Sequence, residues 1–199
     1  MDGPVYAEER QEASTASLVL VVALLIGTAL AFVLATAPFA ALLGPGRGAV
    51  AAAFHGLAAF LYLFVGTIGL YLAWRLMTGR IRAFADLQLL ATVSATLSFL
   101  AIVFGNWLYI SYRGKDGPRA YFKANMPMIH GIFFEFKEFV ALFTLPLTVV
   151  AAFVLWYYGA QVLERRWMRY TVSVVLALSF FYLVVAFGLG AAVSKLRPA

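Results

Sequence analysis

The apolar positions run on without the two- or three-residue periodicity of a soluble core, broken only by short polar clusters. After an acidic tail over 1–16 (Asp2, Glu8, Glu9, Glu12), five long apolar stretches cover about 17–43, 50–74, 84–112, 127–159 and 170–193. A bilayer core about 30 Å thick needs roughly 20 apolar residues per helix. Each stretch meets that length, so the pattern predicts an all-α polytopic membrane protein, a bundle of five transmembrane helices in one domain over 17–199. Helix breakers mark the ends. Gly44-Pro45-Gly46-Arg47-Gly48 closes the first span, and Arg75, Arg80 and Arg82 mark the turn after the second. Pro127 suits a first helical turn, while Pro146 lies inside the fourth span and frees a backbone carbonyl there.

Composition agrees with the pattern: 64% of the residues are apolar and 12% charged, more apolar surface than a soluble domain of 199 residues hides. The net charge of +6 comes from basic clusters between apolar runs. Lipid headgroups are their natural partner, and nucleic acid is set aside. Absence of cysteine excludes disulfides, thiolate metal sites, iron–sulfur clusters and covalently attached haem. The acidic tail and the long first span do not read as a cleaved signal peptide. The Lys and Arg residues divide evenly between the two sides of a five-span arrangement; the tight arginine turns (Arg75 to Arg82, Arg165 to Arg169) favour a cytoplasmic N-terminus.

Candidate chemistry centres on the two histidines, His55 in Ala-Phe-His-Gly-Leu and His130 in Met-Ile-His-Gly-Ile. Each opens a hairpin that crosses the membrane, turns at an arginine cluster and returns, which predicts a two-helix internal repeat. The second and fourth spans run in the same direction, so both imidazoles lie near one face at similar depth. That arrangement suits axial ligation of one haem iron, a b-type haem. Tyr62, Gly66 and Gly69 share the His55 face and offer room for a flat macrocycle. Arg113 and Arg119, on the same side, are placed to neutralise haem carboxylates. The bland alternatives are hydrogen-bonded packing histidines, glycines at helix contacts and loop cations binding anionic lipid.

A second signal is Phe133-Phe134-Glu135-Phe136-Lys137-Glu138-Phe139. Ionisable groups at membrane depth are costly unless paired or hydrated, so Glu135, Lys137 and Glu138 should face protein or water. One reading is a proton or quinone site beside the haem; another is an ion pair locking helices together; a third is solvation at headgroup level. Spacing puts Lys137 on the His130 face, seven residues further on.

With its five spans and paired His-Gly dipeptides, the chain resembles the membrane cytochrome b subunits of respiratory complexes, including the haem-bearing anchors of succinate dehydrogenases and nitrate reductases. Two histidines allow one haem where those anchors carry two on four histidines. The resemblance implies a subunit of a larger complex that passes electrons between quinone and a partner protein, in a bacterial or archaeal cytoplasmic membrane. The rival expectations are a small transporter or proton conductor using Glu135, Lys137 and Glu138, and a structural subunit without chemistry.

Overall fold

The computed structural model describes residues 47–115 and 117–196; the predicted first span, 17–43, lies outside them. Among the described residues the chain is all-helical, and four helices of 29 to 31 residues are long and apolar enough to cross a membrane. They are α1 (Arg47–Met77), α2 (Phe84–Tyr112), a π-helical turn (Ile129–Phe134) running into α4 (Glu135–Tyr158), and α6 (Arg166–Leu196). Two short helices, α3 (Pro118–Asn125) and α5 (Gln161–Glu164), occupy connections that the sequence pattern reads as polar loops. At 1.5 Å per residue each long helix measures about 45 Å, so it tilts or projects beyond the hydrocarbon core.

The turns follow from local chemistry. Gly79 takes φ +69°, the left-handed conformation that ends a helix cheaply without a Cβ, and Arg80 N–H returns to the Arg75 carbonyl at 2.8 Å. Gly159, also at a positive φ (+49°), ends α4. At the end of α2 the chain passes through Gly114 and Gly117 and restarts with Pro118 at the first turn of α3.

The four long helices form a ring, α1 against α2, α2 against α4, α4 against α6 and α6 against α1. Large apolar side chains such as Phe60, Phe64, Leu89 and Phe181 point outward, the arrangement expected where lipid is the solvent. The interior is lined by small and hydroxyl residues, among them Ser94, Ser98, Thr144, Thr148, Ser173 and Ser179, all buried. Lipid is as apolar as leucine, so close approach and hydrogen bonds across helices hold the bundle together. Gln88 Nε2 donates to the Leu155 carbonyl at 2.9 Å and Ser173 Oγ to the Ala73 carbonyl at 2.7 Å.

The two halves of the bundle differ. Where α1 ends and α2 begins, Ala73, Leu76, Leu87, Ala91, Leu155, Met168 and Val172 pack into a continuous apolar core. The half nearer the α1 N-terminus contains a cavity instead. A layer of hydroxyls separates them: Tyr62 Oη lies 2.7 Å from Ser179 Oγ, and Ser98 Oγ 2.7 Å from Thr144 Oγ1. Thr144 Oγ1 donates to the Ala141 carbonyl at 2.7 Å and Ser179 Oγ to the Thr144 carbonyl at 3.3 Å. Each hydroxyl has one proton, so Tyr62 donates to Ser179 and Ser98 donates to Thr144. Both chains end on backbone carbonyls of α4.

Candidate functional site

The cavity has a volume of about 540 Å³, within the range of roughly 300–1,000 Å³ typical of cofactor and ligand sites. Its walls come from the first half of α1, the last half of α2, α3, the first half of α4 and the last half of α6. His55, Tyr62, Tyr109, Tyr112, Lys137 and Glu138 all reach it, against a background of glycine, alanine and apolar side chains.

His55 is fixed by the backbone of α2. Its Nδ1 lies 2.8 Å from the Ala101 carbonyl, which can only accept, so Nδ1 carries the proton and Nε2 keeps its lone pair. Gly105 makes that position possible. A Cβ there would stand 3.1 Å from His55 Cε1 and 3.2 Å from Nδ1, so the ring would have to give by a few tenths of an ångström.

His130 occupies the π-helical turn and is buried, but it is not among the residues lining the cavity. Arg119 Nε on α3 donates to its Nε2 at 3.3 Å, leaving Nδ1 to donate to Tyr112 Oη at 3.0 Å. The exposed carboxylate of Glu135 stands 3.8 Å from the same Nε2. Tyr112 and Phe134, which flank His130, are the groups that face the cavity in its place. The π turn explains why Lys137 and His130 part company despite the helical spacing of seven. Its wider turn holds an extra residue, so everything after it is rotated, and Lys137 faces the cavity while His130 faces α3.

A stack of aromatic rings forms one wall. Tyr112 and Phe134 lie parallel with centroids 4.2 Å apart, and Tyr109 stacks on Tyr112 at 5.5 Å. Cations close both ends, Arg113 over Tyr109 at 4.4 Å and the Lys137 ammonium 5.4 Å from the Phe134 centroid. Glu138 lines the same cavity as Tyr109 and Lys137.

Of the residues that the sequence singles out, His55, Tyr62, Lys137 and Glu138 converge on the cavity, whereas Gly66 and Gly69 border a small void on the packed side. Gly66 admits Phe180, whose Cδ2 would be 2.9 Å from a Cβ at that position. Glu135, Arg113 and Arg119 stay outside the lining, Arg119 engaged with His130. Sequence reasoning missed Gly105, Gly190, Tyr112 and the Ser98–Thr144 pair. Tyr112 reads from sequence as an interfacial aromatic, and nothing in the spacing of Gly105 links it to His55. Comparisons with family models, with curated proteins and with solved structures give no match to this chain.

Proposed function

We propose that the chain is an electron-transfer subunit of a membrane complex, holding one b-type haem in the cavity with His55 Nε2 as an iron ligand. The observation that carries this reading is the His55–Ala101 bond. A metal-ligating histidine characteristically donates its other ring N–H to a carbonyl, which fixes the tautomer and aims the lone pair. The residues present fit such a group in other respects: the cavity is large enough, its walls are apolar and aromatic, and glycines let the contents approach the backbone. When bound, a haem supplies one-electron transfer.

His130 faces α3 outside the cavity lining, so it serves as the second ligand on this proposal only by giving up Arg119, whose Nε now occupies its Nε2 lone pair, and turning into the cavity past Tyr112 and Phe134. A fifth span over 17–43, the two-helix repeat, partner subunits, a quinone and a bacterial or archaeal membrane belong to the same proposal. The test is the reduced-minus-oxidised optical spectrum of protein purified from haem-replete cells. Haem bands are expected in the wild type, and His55→Ala should lose at least nine-tenths of the haem per protein. A folded wild type without haem bands ends the reading.

A second reading, a small transporter or proton conductor, is favoured by the convergence of Lys137 and Glu138 on one cavity. It predicts flux in cofactor-free proteoliposomes that Glu138→Gln reduces at least tenfold. Absence of flux in the wild type removes it.

A further inference from the structure

Lys137 lies about 12 Å along the fourth span from Ile129 at 1.5 Å per residue, well inside the bundle. Its side chain is largely covered, and it packs against α6 at Gly190. A Cβ at that position would stand 3.2 Å from Lys137 Cε and 3.6 Å from Nζ, so a larger residue crowds the lysine side chain where glycine does not. Among the described residues no carboxylate oxygen comes within 4.0 Å of Nζ, and its one close partner is the face of Phe134. The neighbouring carboxylate, Glu138, lines the same cavity but stays beyond 4.0 Å of Nζ. A bare ammonium at membrane depth is costly, and here it faces a cavity of about 540 Å³ whose other walls are mostly apolar.

We infer that Lys137 receives the carboxylate of an amphiphilic molecule lodged in the cavity, the apolar body lying among α1, α2 and α6 and the acid against Nζ. The geometry assigns the recognised chemistry, a carboxylate on a large hydrophobic skeleton, and two sources share it: a porphyrin side chain and a free fatty acid. The inference rests on the cavity being a ligand site, as proposed above, but not on the ligand being a haem.

The experiment compares acids with their esters on the full-length protein in detergent. One arm titrates cis-parinaric acid and its methyl ester by fluorescence; the other titrates iron protoporphyrin IX and its dimethyl ester into protein from haem-deficient cells. The acid should be preferred by roughly tenfold or more in at least one arm, since a charge-assisted bond is lost in the ester. The responding arm identifies the source. Lys137→Met should abolish the preference while the ester still binds, and Lys137→Arg should retain it. Gly190→Ala, which crowds the ammonium without removing it, is the second variant and should lower the preference in the same direction. Equal binding of acid and ester by the wild type in both arms, no binding of either, or a preference unchanged in both Lys137→Met and Gly190→Ala overturns the inference. Fatty-acid preference in a protein that never shows haem bands ends the haem reading and leaves this one standing; haem bands without any acid–ester difference do the reverse.

Discussion

Replacing Gly105 with valine is expected, on the proposal that the cavity holds a haem, to lower the haem content about as far as removing His55 itself. The added Cβ would meet the imidazole at 3.1 Å from Cε1 and 3.2 Å from Nδ1, and the branched methyls tighten the conflict. The ring then yields into the cavity and gives up the Ala101 carbonyl. Loss of such an orienting partner typically costs 10- to 100-fold in metal affinity. Haem per protein, read from absorbance, should therefore fall at least tenfold. Gly188→Ala is the control: it lies outside the cavity lining, and its Cβ would meet nothing within 4 Å. Normal cofactor content in Gly105→Val, in protein that elutes and melts like the wild type, would remove His55 from the binding site.

The second large effect concerns stability and lies in the packed half. Leu155 is 0% exposed within the apolar core, whereas Leu89 is 58% exposed on the outer surface. In water both truncations to alanine would forfeit transfer energy. In lipid the outer one loses little, because acyl chains replace the missing contacts. Leu155→Ala leaves a void that nothing fills, and buried leucine truncations cost about 2–5 kcal/mol, with the lower end expected where the solvent is itself apolar. Its detergent unfolding midpoint should fall clearly while that of Leu89→Ala stays near the wild type. Equal shifts would mean that the outer face is packed against protein rather than lipid.

The contrast between these two leucines shows why the pattern of the chain goes so far and no further. Both lie in uniformly apolar runs, and nothing local separates them. Their fates diverge because α4 is enclosed by α2 and α6 at Leu155, while α2 turns Leu89 outward. Likewise, the α2 boundaries at Phe84 and Tyr112 match the apolar run, since polar clusters must leave the bilayer. The helices α3 and α5 are not legible in the same way, because each is too short to carry the long apolar run that marks a span.

The site divides on the same principle. Matched His-Gly dipeptides and the Lys137–Glu138 pair stand out in sequence because such residues are expensive in a membrane. Their partners do not stand out. Ala101, which fixes the tautomer of His55, contributes only a backbone carbonyl, and a carbonyl leaves no mark on a sequence.

By itself the sequence determined the class of solvent, the helical state, the approximate placement of four spans and the few residues too polar to be there for packing. These follow from the energy of placing each residue in hydrocarbon, which needs no neighbours to evaluate. Only the tertiary structure decided that one half of the bundle is packed and the other hollow, that a π turn sends His130 towards Arg119 and Lys137 towards the cavity, and that Gly105 and Gly190 make room for a ring and an ammonium. Those outcomes depend on how one helix is rotated against the next, and that rotation is set by contacts between residues far apart in the chain.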